Sequence, residues 1–326
     1  MGNAIEASGL TKRYGNVLAV DHISFKVEEG EIFGFLGPNG AGKTTTIRLL
    51  TGQAKPDSGR AMVAGFDMAR EPIEGKRRMG VVPEISNLYD ELSAWDNLIF
   101  AAQLYGVPRG AREERARELL ELIGLYERRG DRVGGFSKGM KRRLTIAAAL
   151  IHEPEVLFLD EPTAGLDVQS SRAIRSLVRE LNEEGMTVFL TTHYIEEADQ
   201  LCDRVAIIDR GRIIAEGKPE ELKSRIGERA ALEVSFNPKL EISDGLAALE
   251  HVRGVSKLGD FFRVYVDDVT GFLRALADFA KSNGLEVASI STVRPSLEDA
   301  FVMITGLSPE VMRIEKELAR RRGDIG

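Results

Sequence analysis

Hydrophobic and polar positions follow distinct patterns in different parts of this 326-residue chain. EVLFLD (Glu155–Asp160) and TVFLTTH (Thr187–His193) are nearly continuous apolar runs, which predict strands buried on both faces. Shorter strands are expected at Ile5–Leu10, Ile23–Val27 and Glu31–Leu36, and at the AMVAGF and MGVVP segments. AREERARELLELIGL instead spaces its apolar residues at helical intervals, within a helical stretch from about Trp95 to Leu150. Further helices are expected near Thr44–Thr51 and Ser170–Glu184. Buried strands separated by helices imply a parallel α/β sheet. RVAIIDRG and RIIAEG, joined at Arg210-Gly211, predict a hairpin at its end.

The pattern changes after about Glu228. Strand (ALEVSF), helix (near Gly245–His251), strand (near Val255–Leu258), strand (FFRVYV), helix (Gly271–Asn283) and strand (EVASIS) follow in turn. That is the order of a small α+β, ferredoxin-like unit. PSLEDAFVMITG predicts one more helix, with Pro295 near its start and Gly306 past its end. The expected domains are therefore 1–226, 227–308 and a charged helical tail, 309–326, containing Arg320–Arg322. The tail reads as a solvated surface helix, with a membrane-surface or partner contact as the alternative.

Composition narrows the classes. With 43% hydrophobic and 29% charged residues the chain can bury a sizeable core. A net charge of -7 disfavours a partner bound through nucleic-acid phosphates. The single cysteine, Cys202, rules out an intrachain disulfide framework and fits a reducing compartment, and a structural role is expected for it. No apolar run reaches 18 residues, so no membrane span is expected. MGNAIEASGL has neither the basic flank nor the long apolar core of a secretory signal.

Three segments carry chemistry. GPNGAGKT (Gly37–Thr44) follows an apolar strand and opens a helix, the setting of a phosphate loop. Its glycines let successive N–H groups turn toward phosphate oxygens, Lys43 brings a cation to the terminal phosphates, and Thr44 offers a hydroxyl to Mg²⁺. EVLFLDEPTAGLD ends a strand on two carboxylates: Asp160 can hold the metal or its waters, and Glu161 can accept a proton from attacking water. His193 stands just past a buried strand, where parallel sheets place their sites, and could contact the γ-phosphate. His22, His152 and His251 lack such a setting and read as structural.

GPNGAGKTT, FSKGMKRRL, LFLDEPTAGLD and TTH, in this order, resemble the ATP-binding subunit of an ABC transporter over roughly Met1–Ile226. The end of the chain, RPSLEDAFVMITG, is similar to the extension on ATPases of the type-2 exporter group, which includes drug-resistance and sodium-efflux systems. The resemblance implies a phosphate-loop ATPase domain with a helical subdomain at about 86–150, followed by the ferredoxin-like unit. It places ATP on Gly37, Pro38, Asn39, Gly40, Ala41, Gly42, Lys43, Thr44 and Thr45, with adenine stacked on Tyr14. It gives Mg²⁺ to Thr44, Asp160 and Glu84, catalysis to Glu161 and His193, and communication between paired sites to Asp167. The signature loop, Phe136, Ser137, Lys138, Gly139 and Met140, would face the ATP of a second copy. An integral membrane permease is the other implied partner, with the chain peripheral on the inner face of the cell membrane and no nucleic acid involved.

Two segments depart from the family pattern. Glu84 stands for the usual glutamine, keeping an acceptor oxygen but losing the amide donor and adding charge. Lys138 and Met140 replace a glycine and a glutamine of the signature, and Lys138 adds a cation that could meet polyphosphate or solvent. A soluble ABC ATPase acting on ribosomes or DNA remains the alternative, although the chain has one cassette and no room between Lys43 and Ser137 for a long coiled coil. A GTPase would need an Asn-Lys-x-Asp, which is absent, and a kinase would lack the signature helix. The C-terminal unit could also bind a regulatory ligand, which fold alone does not establish.

Overall fold

The computed structural model describes residues 2–224, 230–237, 242–293 and 296–306. The chain divides into two compact units, Met1–Pro219 and Glu220–Gly326. The division thus lies at Pro219/Glu220, a few residues before the boundary expected from sequence. The charged tail 309–326 and Pro295 lie outside the described residues.

The first unit begins with β1 (Asn3–Tyr14), β2 (Val17–Glu28), β3 (Ile32–Leu36), α1 (Lys43–Leu50), β4 (Ser58–Val63), β5 (Phe66–Asp67), α2 (Pro72–Arg77) and β6 (Met79–Val82). The helical stretch follows as α3 (Ala94–Leu104), α4 (Arg112–Leu122) and α5 (Lys138–Leu150). Next come β7 (Val156–Asp160), α6 (Val168–Glu183), β8 (Thr187–Thr192), α7 (Ile195–Leu201), β9 (Arg204–Asp209) and β10 (Arg212–Gly217), with α8 (Pro219–Ser224) at the division.

These strands form two sheets. One has the order β10-β9-β3-β8-β7-β6 and is parallel except for the β9–β10 hairpin. Its central strands β3, β7 and β8 are buried at every position. The other sheet, β2-β1-β4-β5, is antiparallel, a layer that the sequence reading did not separate from the first. Its strands have mixed burial, with buried residues alternating with exposed ones along much of β2, and Gly15-Asn16 joins β1 to β2 too tightly for any but antiparallel pairing. The core between the sheets includes Ile5, Leu10, Phe25, Phe33, Phe35, Phe158 and Phe189. Phe33 stacks on Phe25 at 5.6 Å and on Phe189 at 5.9 Å, fixing β3 against β8. Such ring pairs add ~0.5–1.5 kcal/mol each beyond area burial. Cys202 is buried, and a Cβ on Gly34 would fall 2.6 Å from its sulfur, so the thiol fills the space the glycine leaves. Burial pushes that thiol well up, consistent with a packing role.

In the second unit, β11 (Ala230–Asn237), α9 (Ser243–Ala247), β12 (Val252–Leu258), β13 (Phe261–Val266), α10 (Val269–Ser282), β14 (Glu286–Val293) and α11 (Leu297–Thr305) follow in order. The sheet order β12-β13-β11-β14 is antiparallel throughout, with α9 and α10 inserted in the βαββαβ sequence. Its core packs Leu232, Val234, Phe236, Phe262 and Val264 against Phe272 and Leu276 of α10. α11 ends at Gly306, whose φ of 69° is the left-handed cap that glycine adopts without strain.

Candidate nucleotide site

The phosphate loop links β3 to α1 and is held by its neighbours. Gly37 N donates to Thr192 O at 3.3 Å, and Gly211 N donates to Ala41 O at 2.9 Å. Two glycines are demanded by space. A Cβ on Gly37 would lie 2.3 Å from Ile208 O, and Gly42 combines a φ of 108° with Ala19 O 2.4 Å from where its Cβ would be. The loop therefore lies tight against β9 and the β2 backbone, and α1 opens from it with its first N–H groups free of helical partners.

Lys43 is nearly buried. Its ammonium donates to Gly37 O at 2.8 Å and Pro38 O at 3.0 Å, and lies 3.2 Å from Glu161 Oε1. Glu161 follows β7 in a left-handed backbone conformation, φ 48°, with its N–H shared between Thr191 O and Thr191 Oγ1. That conformation costs a non-glycine residue of the order of 1–2 kcal/mol, and it turns the carboxylate toward Lys43. Its other oxygen pairs with Nδ1 of His193, just beyond β8. Burial alone would raise the Glu161 carboxyl, but the His193 hydrogen bond and the Lys43 charge outweigh it, and the group is held below its ordinary range.

Asp160 ends β7 one residue earlier. Thr191 Oγ1 donates to it at 2.6 Å and Thr44 Oγ1 at 3.3 Å. Glu84 completes the acidic group. Burial pushes its carboxyl up, and the Glu161 and Asp160 charges push it further, against opposing contributions from Arg142 and His193. A hydroxyl and two carboxylates are the hard oxygen donors that Mg²⁺ takes alongside phosphate, so Thr44, Asp160 and Glu84 fit that ion. Among the described residues no cluster of three His, Cys, Asp or Glu makes a dedicated metal cage.

A cleft of about 490 Å³ opens over this floor, lined by Asn39, Gly40, Gly42, Lys43, Thr44, Thr45, Glu84 and Glu161. Val17, Leu18, Ala19 and Arg210 also line it and were missed in the sequence. Arg210 sits in the hairpin turn with φ 46°. The Arg-Gly turn was legible; its position over the cleft depends on the Gly211–Ala41 tie between distant segments. Tyr14 is not part of the lining. It stands half-exposed at the end of β1, with Lys12 Nζ 5.5 Å from its ring centre.

The signature segment is built separately. Ser137 caps α5, its side chain accepting from Met140 N at 3.2 Å. Ser137 and Lys138 are exposed and Phe136 is buried. Arg128 covers this corner, 5.1 Å from the Phe136 ring centre and 3.4 Å from Met140 Sδ. Gly139 is buried where α5 meets α6: a Cβ there would lie 2.4 Å from Ser170 Oγ. That hydroxyl donates to Asp167, which caps α6 by also accepting from Ser170 N, both at 2.8 Å. These hydrogen bonds hold the Asp167 carboxyl low. The structure thus brings Lys43, Thr44, Glu84, Asp160, Glu161 and His193 together, while Ser137, Gly139 and Asp167 form a second group along the α5–α6 contact.

Of the other histidines, His22 is exposed beside Asp21 and His251 pairs with Asp267. His152 stacks on Tyr105 at 4.0 Å and hydrogen-bonds Met79 O.

Residues 20–164 match the ABC transporter family. Residues 217–305 match the C-terminal domain of DrrA1-3-like ATP-binding proteins. The linearmycin resistance ATP-binding protein LnrL of Bacillus subtilis is 39% identical over 93% of this chain and 98% of its own length. The daunorubicin/doxorubicin resistance ATP-binding protein DrrA of Streptomyces peucetius is 41% identical over 93% and 92%. Nod factor export ATP-binding protein I of Ralstonia nicotianae is 37% identical over 93% and 94%. Among solved structures, an ATP-binding subunit of an ABC transporter aligns with a TM-score of 0.63 at 32% identity, covering 69% of this chain and 93% of that one. The ATP-binding cassette MJ0796, solved as a post-hydrolysis dimer with ADP and phosphate, aligns at 0.60 and 26%, covering 66% and 98%.

Proposed function

The chain belongs to the ABC transporter family, as an ATP-binding subunit of the type-2 exporter kind, and on that premise we propose that two copies clasp two MgATP molecules and drive a separate membrane permease. It is an ATPase that powers export. In this reading the loop Gly37–Thr45 holds the phosphates, and adenine lies toward Tyr14, Val17 and Leu18. Ser137, Lys138 and Gly139 face the nucleotide held by the other copy, with Phe136 and Met140 supporting them. Asp167, which caps α6 beside Gly139, passes the state of one site to the other.

One observation carries the catalytic assignment: an ionised, buried Glu161 held between Lys43 and His193 at the floor of the cleft. Glu161 accepts a proton from, or orients, the water that attacks the γ-phosphorus in line. Lys43, His193 and the N-terminal end of α5 stabilise charge on the transferring group. Mg²⁺ on Thr44, Asp160 and Glu84 would neutralise phosphate oxygens. Since the γ-phosphate bridges the two copies, its hydrolysis opens the pair.

Glu161→Gln is expected to lower turnover by ~10²–10⁴ while ATP binding persists; near-normal hydrolysis would remove Glu161 from the role. Among the described residues no helix is long and apolar enough to cross a membrane. The permease would therefore hold the chain at the inner membrane face, meeting the helical subdomain and the Glu84–Trp95 loop. Recovery with a polytopic membrane protein from detergent extracts supports this, and recovery with ribosomes would replace it. The Ralstonia relative is an export protein by name and the Bacillus and Streptomyces relatives are named for drug resistance, which favours outward transport here too. The permease, which holds the pathway, selects the cargo.

A further inference from the structure

Arg142 lies on the inner side of α5 and is only 7% exposed. Among the described residues its guanidinium forms no salt bridge to a carboxylate. Nη1 donates to Pro83 O and Nη2 to Glu84 O, each at 2.5 Å. A fork gripping two successive carbonyls fixes a backbone in both position and rotation, as a single donor does not. The segment beyond Glu84 is bound to the same region at further points. Ser86 Oγ and Thr145 Oγ1 are 3.1 Å apart, Lys141 Nζ reaches Asp90 Oδ1 at 2.7 Å, and Gly134 N and Val133 N donate to Asp90 O and Leu92 O.

We propose that Arg142 is a positioning residue: its two-carbonyl grip aims Glu84 at the phosphate site and makes the Glu84 loop and the Ser137 helix one rigid piece. Glu84 serves the nucleotide of its own copy, and Ser137 serves that of the other. A single side chain then sets one element of each site, and movement of the loop by a γ-phosphate or by the permease moves the signature helix with it. The grip also keeps a buried cation beside Glu84, where this chain carries a carboxylate near Asp160 and Glu161. This inference rests on the proposed function, since it assigns Glu84 and Ser137 to two nucleotides.

The test uses the purified full-length chain with Arg142→Gln and Arg142→Lys. Lysine keeps the charge and loses the fork. Both variants are expected to lower kcat about tenfold with KM for MgATP changed less than about threefold, and to speed hydrogen exchange across 84–93 and 133–140 together. The same effect on kcat is expected to shrink to about twofold when Glu84→Ala is already present, because the aimed group is then gone. A lysine variant within twofold of the parent in both readouts would overturn the fork. Undiminished loss of kcat in the Glu84→Ala background, or faster exchange in one segment alone, would overturn the link. Thermal unfolding of each variant identifies general destabilisation, which would spread faster exchange over the whole first unit and count against the proposal. A parent chain that binds but does not hydrolyse MgATP contradicts the proposed function, while the exchange readout still decides the link.

Discussion

Glu161 and Asp299 are both buried carboxylates, 7% and 3% exposed, and both are held below their ordinary range by partners that outweigh burial. Their surroundings separate them. Asp299, in α11, accepts from Tyr265, from Arg263 at 3.0 Å and from the backbone and hydroxyl of Ser296 at 2.6 and 2.7 Å, and it completes a capping box. Arg263 is also taken by Glu233 at 2.5 Å. These groups serve one another, and the network joins α11 to β13 and β11. Glu161 instead lines an open cleft, in a left-handed backbone, with partners that a polyphosphate could share. A perturbed carboxylate is thus a weak sign of catalysis by itself. Access to an open cleft distinguishes a working group from a fastener.

The strongest way to break this comparison is Asp299→Ala. It leaves Tyr265 buried without its acceptor, the partly buried Arg263 with Glu233 alone and α11 without its capping box, and is expected to cost about 2–4 kcal/mol, read as faster exchange across 230–306 in the full chain, with MgATP affinity unchanged. A matching loss of ATP binding would mean that Asp299 serves the site as well. The sign of its pH dependence follows from the lowered pKa. The Asp299 contribution is complete above the unfolded value of about 4 and is lost as pH falls through the lower folded value. Exchange protection of the second unit should therefore hold from neutral pH to about 5 and drop on further acidification, and Asp299→Asn should flatten that drop.

A smaller effect is expected at the α5–α6 contact. Gly139→Ala forces a methyl into Ser170 and is expected to cost about 1–3 kcal/mol, less the helix propensity that alanine gains. It should loosen the Asp167 cap and lower ATPase activity, and Ser170→Gly should restore activity; failure of that rescue would place Gly139's role elsewhere. The smallest effect concerns Lys138, a cation in the first turn of a helix whose dipole disfavours it by about 0.3–1 kcal/mol. Lys138→Gln is expected to raise the melting temperature slightly and to weaken ATP-driven pairing about two- to fivefold, as a phosphate-facing charge would. Unchanged pairing in a light-scattering titration would assign Lys138 to solvent.

Much of this was readable in the sequence because it is local. The phosphate loop shows itself by glycine spacing between an apolar strand and a helix, and β7 and β8 by continuous burial. Ser137 and Gly306 lie at helix ends in residue types that favour them. What the sequence hid depends on segments far apart in the chain. The antiparallel layer is defined by which strand faces which, and alternation alone does not give that partner. Arg142 looked like one of several basic residues after the signature; its grip depends on carbonyls almost sixty positions upstream. Arg210 faces the cleft because the Gly211 amide reaches Ala41. Gly139 read as a signature-loop glycine facing a second copy's ATP, and its spatial need within this chain comes from Ser170.

The place of β3 in the sheet has a consequence for synthesis. The strand that carries the phosphate loop, ending at Leu36, lies between β8 and β9, which begin only at Thr187 and Arg204. At ~5–20 residues per second, the nascent chain carries an unpaired, wholly apolar phosphate-loop strand for roughly ten seconds or more. Until Thr187–Asp209 leaves the ribosome, β3 has no β8 to link it to β7, and the phosphate loop and the Asp160–Glu161 carboxylates are not yet held together, so ATP is a ligand that can report only a nearly finished first unit.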